Sequence, residues 1–540
     1  MRFVVYAVAS CLLAIVLCTP VQADDWPQWG GTDNRNIVSP ETNLPQTFTP
    51  GRSGPSGRGI DIATTENVRW VARLGSNAYG NPTIAGGRVY VGTDDLLVGE
   101  DPRFERSRGG AVCCFDEQSG ELIWRLPTPQ RMTYPKDAHY KFQHLGVCSS
   151  PTVDGDRIYV VENGARVICL DVNGQSNGND GPYMDDAQFM AGEKGSPVEL
   201  NESDADVVWV CDLIDDIGIY PHDTVSNSVL VHGDLIYLSS SNGLDTPHER
   251  ALAPDAPAFI ALDKHTGCLA AYEDLGLSKT LYHAAWCSPS CGRVGDRDLI
   301  FFGGGDGVCY AFAAMEKAED EPVPMELVWS YDCLPDHYKY RENGELIPYY
   351  EGDKRKNYST NENDGLFVGP SQLIATPVFL NDRIYVAIGQ DPEHGRGRGM
   401  LHCIDATLEG DITETGCIWT YDGLDRTMGT VSISNGLVYA GDIAGRLHCV
   451  DAESGEAYWV YETNAQMWGG ALVADGKLYL GTKNDFHILA EGPELTSLAK
   501  IRLGAPVYTT PVAANGAVYI ASQRYLWVVA KPEQQAASSE

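Results

Sequence analysis

The chain repeats itself, and that restricts its fold more than any other feature. The clearest copy is Gly429 to Thr463, GTVSISNGLVYAGDIAGRLHCVDAESGEAYWVYET. It holds four short apolar runs, TVSIS, LVYAG, LHCVDA and AYWVYE, separated by turns. Runs that alternate, or that are rich in β-branched and aromatic residues, read as half-buried strands. Asn435-Gly436 between the first two runs is a tight hairpin signal, because both residues tolerate positive φ. Ser454-Gly455 plays that part between the third and fourth. One such meander cannot bury both faces, so it needs neighbours of its own kind.

The chain supplies them. Inner strands begin near Asn81, Ser150, Asn227, Ser288, Thr376, Thr430, Gly469 and Thr510. Third strands end in an Asp at Asp116, Asp171, Asp263, Asp405 and Asp451. Fourth strands carry Trp124, Trp209, Trp329, Trp419 and Trp459. The last unit stops near Val529 without a fourth strand, and Asn67 to Ala72, with Trp70 at the marker position, matches what is missing. Pairing the two ends removes open sheet edges. The expected fold is therefore all-β: an eight-bladed β-propeller of four-stranded antiparallel blades, its ring closed by an N-terminal strand. The expected layout is an export signal over 1–23, a lead-in over 24–66, the propeller over 67–530 and a disordered tail over 531–540.

Met1 to Ala23 has a charged start at Arg2, an apolar run from Val4 to Leu17, and Val21-Gln22-Ala23 before a cut near Asp24. Leu17 before Cys18 is too bulky for a lipid-anchor signal, and no other run is long enough to span a bilayer. The chain is expected to be secreted across the inner membrane and soluble in a periplasmic or extracellular space. A net charge of −35 disfavours nucleic acid as a partner. Two of the fifteen cysteines lie in the export signal, so an odd number remains for the mature chain. There is no CxxCH for covalent haem and no paired CxxC for zinc.

Cys114 to Trp124 (CFDEQSGELIW), Cys449 to Trp459 (CVDAESGEAYW) and Ala261 to Ala271 (ALDKHTGCLAA, lacking the Trp) follow the pattern Ala-x-Asp-x-x-Thr/Ser-Gly-x-x-x-Trp, with Cys in the Ala place in two of them. This pattern resembles the tryptophan-docking motif of the PQQ-like β-propeller family, which includes quinoprotein dehydrogenases and the outer-membrane assembly protein BamB. The lead-in Asp25-Trp26-Pro27-Gln28-Trp29-Gly30 is also similar to exported members. The motif has a physical reading without any cofactor. The Trp lies on the next blade's turn and the Asp accepts hydrogen bonds within that turn. Trp70, Trp124, Trp209, Trp329, Trp419 and Trp459 are thus expected to dock blade on blade.

The long segments, Asp94 to Gly110, Thr128 to Cys148, Asn242 to Pro257, Tyr331 to Ile374 and Gln390 to Gly399, follow second or fourth strands. In an up-down meander those connections emerge on one face, where long loops tend to carry function. Asn173 to Asp206 follows a third strand and reads as a solvated acidic loop on the other face. Around the channel mouth the ligand-binding candidates are Tyr79, Asn81, Ser150, Asn227, Trp286, Ser288, Thr376, Thr430, Trp468 and Tyr508. Together they form an aromatic rim around a polar hole, suited to a planar or extended ligand. Packing of the loops over the axis is the alternative.

Cys113-Cys114 read as adjacent strand residues on opposite faces, with Cα atoms about 3.8 Å apart. The vicinal disulfide that the family resemblance brings to mind is therefore not expected. Cys287 and Cys291 flank a Ser-Pro-Ser turn and are placed to bridge or to stay reduced. His139, His144, His222, His248, His283 and His394 fall in the long loops, and His222, Asp223, Asp391, Glu393 and His394 are metal-ligand candidates by residue type. No catalytic set is recognisable. The leading expectation is a binding or scaffold module that takes an envelope protein, a peptide or a glycan through its loop-rich face, BamB-like by resemblance. The alternative implied by the resemblance is a quinoprotein dehydrogenase using PQQ with Ca2+ on an alcohol or sugar.

Overall fold

Paired left-handed residues set the hairpins that start most blades. Asn435 and Gly436 have φ of 50° and 78°, and Asn381-Asp382, Asp475-Gly476 and Asn515-Gly516 repeat the pattern. Such turns match the right-handed twist of the strands they join. The computed structural model describes residues 25–55, 57–140, 142–356, 369–390 and 394–532. The expected export signal and nearly all of the expected tail fall outside these residues.

Among the described residues eight four-stranded antiparallel blades form the propeller. Blades 1 to 7 span 83–128, 152–212, 230–272, 290–332, 378–421, 432–462 and 472–501. Blade 8 takes three strands from 512–529 and its fourth from Val68–Arg73, with Trp70 opposite Val528. The ring is closed as the sequence implied. In every blade the pairing of third with fourth strand slips by one residue, for example between Cys114 and Phe115 and between Cys449 and Val450. A bulge at this point bends the outer strand and re-aims its side chains.

Each of the six marker indoles donates its Nε1–H to a backbone carbonyl of the next blade. Trp70 reaches Glu117 at 2.8 Å, Trp124 reaches Val172 at 2.9 Å and Trp209 reaches Lys264 at 3.0 Å. Trp329, Trp419 and Trp459 reach Ala406, Ala452 and Gly492 at 3.2, 3.0 and 3.0 Å. The glycine of the motif is needed beneath the ring. A Cβ on Gly120, Gly267 or Gly455 would lie 2.4–2.6 Å from Trp70, Trp209 or Trp419, and each glycine has φ near +73°. The motif Asp holds the same turn: Asp451 accepts from the Ser454 amide at 2.8 Å.

A second clasp sits two residues beyond the Trp. The hydroxyls of Tyr331, Tyr421 and Tyr461 meet Nδ1 of His402, His448 and His487 in the following blade at 3.4, 3.0 and 3.1 Å. Burial pushes the pKa of His402 and His487 down to about 4.

The lead-in does more than precede the ring. It closes one end of the axial channel and touches all eight blades. Trp26 pairs with Ile84, and the Pro27 carbonyl accepts from Val153. Arg35 Nη2 donates to the Val229 carbonyl, and the carbonyls of Asp33 and Asn34 accept from Cys291 and Phe379. Asn36 Oδ1, the Ile37 carbonyl and Ser39 Oγ then engage Ile433, Val473 and Ala513. Arg35 is fully buried at φ 61° and also donates from Nε to Pro289 and from Nη1 to Gln28 Oε1. Desolvation lowers its pKa to about 10. The plug is held by saturating one buried cation with carbonyl and amide oxygens.

One expectation needs correction in part. Segment 173–206 is not simply a solvated loop. It forms a short helix, Asp186–Ala191, that buries Phe189 and Met190, and Asp204 takes two hydrogen bonds from Arg103 at 2.6 and 2.9 Å. Three of its acids, Asp186, Asp204 and Asp206, are buried in contacts that composition does not reveal, while Asp180, Asp185, Glu193, Glu199 and Glu202 stay exposed as expected. Cys287 and Cys291 form no bridge: all thirteen described cysteines are free thiols, Cys113 and Cys114 included. Cys287 donates to the Ser288 carbonyl, and Cys291 Sγ sits 3.8 Å from His232 Nδ1. No described helix is long and apolar enough to cross a membrane.

Candidate functional site: an axial cavity and a histidine cluster

Above the plug the channel opens into a cavity of about 410 Å³. Each blade gives it two residues at the entry to the inner strand, spaced i and i+2, a spacing that keeps both side chains on one side of extended backbone. The deeper set is small and polar: Asn81, Ser150, Ser228, Ser288, Thr376, Thr430, Gly470 and Thr510. The shallower set is Tyr79, Cys148, Ser226, Trp286, Ile374, Met428, Trp468 and Tyr508. Trp29 of the plug also lines the cavity, its Nε1–H on Thr376 Oγ1 at 3.0 Å.

The deeper set forms a belt in which a backbone N–H of one blade donates to a side-chain oxygen of the next. The Asn81, Ser150 and Ser228 amides donate to Ser150, Ser228 and Ser288 Oγ at 3.1, 2.9 and 2.9 Å. Thr376 and Gly470 donate to the Oγ1 atoms of Thr430 and Thr510 at 3.1 and 2.8 Å, and Thr510 donates to Asn81 Oδ1 at 2.5 Å. A hydroxyl keeps a further donor and acceptor position beyond such a bond.

Nine of the ten sequence candidates line this cavity: Tyr79, Asn81, Ser150, Trp286, Ser288, Thr376, Thr430, Trp468 and Tyr508. Asn227 does not. It is fully buried with its Nδ2 on Ser241 Oγ at 2.9 Å, and Ser228 takes the cavity position. A one-residue shift in a strand exchanges its faces, and the run Ser226-Asn227-Ser228 offers two polar residues of the right kind on either side.

The shallower set is lopsided. Tyr79, Tyr508 and Trp468 from blades 1, 8 and 7 stack, with Trp468 and Tyr508 centroids 3.9 Å apart and Tyr79 5.9 Å from both. Burial raises the pKa of Tyr79 and Tyr508 and pushes Cys148 up to about 12, so the wall is uncharged at neutral pH. The buried indole N–H groups of Trp468 and Trp286 have no hydrogen-bond acceptor among the described residues.

The opposite side faces a histidine cluster built by the insertions. His139, His222, His248, His283 and His394 pack with neighbouring ring centroids 4.2–4.9 Å apart, and His283 lies 4.9 Å from Trp286. His139 Nε2 is 3.0 Å from Asp223 Oδ1, and Asp223, at φ 58°, also lines the cavity. Of the metal candidates, His222, Asp223 and His394 are brought together here, while Asp391 and Glu393 lie outside the described residues. His139, His248 and His283 complete the cluster although they stand far apart in the chain. Their only sequence signal is histidine in a long loop.

The family described as "Outer membrane protein assembly factor BamB", a PQQ_2 repeat family, matches residues 97–243 and 411–500. The matched residues make up less than half of the chain, which is an eight-bladed β-propeller with segments similar to that family's repeat. Solved structures similar to it include BamB from Moraxella catarrhalis, at 12% identity and TM-score 0.48 over 87% of this chain and 98% of that one. A computationally designed protein, Ika8, matches at 9% identity and TM-score 0.45 over 85% and 98%. Quinohemoprotein alcohol dehydrogenase from Comamonas testosteroni matches at 11% identity and TM-score 0.40 over 96% and 82%. Curated proteins give no match by sequence. Similarity this distant shows the fold alone.

Proposed function

We propose that this chain is an exported binding module that holds a sugar ring, as one end of a glycan, in its axial cavity. The observation that carries the reading is the stacked wall of Trp468, Tyr508 and Tyr79 beside a belt of hydroxyls on a closed floor. A sugar presents an apolar C–H face and a rim of hydroxyls. The aromatic wall suits the first, and the belt, with the two indole donors, suits the second. The lining is nearly neutral, which fits an uncharged ligand better than a phosphate or a polycarboxylate.

The quinoprotein alternative fits these residues poorly. PQQ is a flat tricarboxylate, and no Arg or Lys is among the described residues lining the cavity. Asp223 is the one carboxylate among the described residues there, whereas Ca2+ takes six to eight oxygen ligands.

Titration of the mature protein with neutral mono- and oligosaccharides, followed by tryptophan fluorescence and calorimetry, tests the reading. Trp468→Ala should weaken binding about tenfold or more, equivalent to about 1.4 kcal/mol. A protein or peptide laid across the loops is the broader form of the idea. Capture of such a partner with equal affinity by W468A, alongside no saccharide response, would move the site out of the cavity.

A further inference from the structure

We infer that the histidine cluster is a binding site for one imidazole-preferring divalent transition-metal ion, held between His222 and His248 and completed by His139. Three observations carry this, and none depends on what occupies the axial cavity.

The first is the pairing of the two central rings. His222 Nδ1 lies 2.6 Å from the Leu244 carbonyl, and His248 Nδ1 lies 3.1 Å from the Thr246 carbonyl. A carbonyl only accepts, so each Nδ1 carries the hydrogen and each Nε2 presents a lone pair. Those two Nε2 atoms face each other at 3.0 Å. Two lone pairs at that distance repel unless a cation lies between them. A metal ion satisfies both lone pairs with both rings neutral.

The second is the ligand geometry. The coordinating atoms of His139, His222 and His248 lie within 4.8 Å of one another. Tetrahedral nitrogen ligands with bonds of about 2.0–2.1 Å stand about 3.4 Å apart, so modest rotations bring the three nitrogens onto one ion and leave its fourth position open. Imidazole donors suit Zn2+, Cu2+ or Ni2+ and disfavour Ca2+ and Mg2+.

The third is the support around the rings. Metal-binding histidines usually donate their other N–H to a carbonyl or carboxylate, as His222 and His248 do. Arg355 Nε fixes the loop by donating to the His248 carbonyl at 3.0 Å, and Asp223 beside His139 supplies negative charge next to a neutral cage.

The experiment uses the full mature protein, stripped with chelator and titrated with ZnCl2 at pH 7.5 by calorimetry, with CaCl2 as comparison. The expected result is saturable uptake of Zn2+ at one ion per chain, absent with Ca2+, and weakened at least tenfold by His248→Asn. The exposed His265→Asn should leave uptake unchanged. If H248N does not fold, as judged by circular dichroism in chelator, His139→Asn carries the same test. No uptake of Zn2+ above the Ca2+ baseline, or equal uptake by wild type and the cluster variants, would overturn the inference and leave the two rings joined by a proton.

Discussion

The two sides of the axial cavity are built by different means. The wall of Tyr79, Trp468 and Tyr508 uses one position of the repeat, filled three times running as the ring closes from blade 7 through blade 8 to blade 1. The histidine side uses residues with no place in the repeat, drawn from insertions as far apart as His139 and His394. The repeat thus supplies scaffold and pocket together, whereas the insertions supply a histidine cluster that the scaffold does not need. Each side therefore predicts a different response to perturbation.

The largest effect should come from the repeat. Trp329 is fully buried and spans blades 4 and 5 through its bond to Ala406. Trp329→Ala should cost about 3–5 kcal/mol in chemical denaturation, the usual range for losing a buried Trp. A cost below about 1 kcal/mol would mean that the indoles decorate the interfaces and do not hold them.

Acid should expose the next difference. His402 and His487 sit in the Tyr–His clasps and titrate at about 4 in the folded chain, because burial disfavours the imidazolium. An unfolded histidine titrates near 6.5. Below that value the unfolded state binds more protons, so the clasp's contribution is complete above about pH 6.5 and is lost as pH falls towards 4. For His402 the loss is on the order of 3 kcal/mol. Asp306 acts in the opposite sense: burial raises its carboxyl to about 6, so its contribution is present at low pH and lost as pH rises through 6. Comparing wild type with the double variant His402→Gln, His487→Gln cancels Asp306. The variant should show the flatter stability profile between pH 6.5 and 4, and parallel profiles would contradict the assignment.

The smallest effect should come from reductant. The insertions are anchored by contacts such as Arg355 on the His248 carbonyl, and Cys148 and Cys333 near their roots are free thiols. A disulfide would contribute about 2–4 kcal/mol. Dithiothreitol should therefore move the thermal midpoint by less than about 1 °C, and a drop of several degrees would show that the insertion side is covalently stapled.

The sequence by itself determined the ring. The blade count, the closing strand with Trp70, the docking indoles and nine of the ten cavity positions follow from recurrence, because a residue in one register meets the same surroundings in every copy. Where the register was ambiguous, at Asn227 and Ser228, the pattern failed by one residue, since neighbouring strand positions face opposite ways. Tertiary structure decided the rest. That Arg35 would plug the axis, that residues 173–206 would pack through Asp204 and Arg103, and that separated loops would bring five histidines together depend on where non-repeating segments meet in space. Such meetings are set by contacts between residues distant in the chain, which leave no period to read.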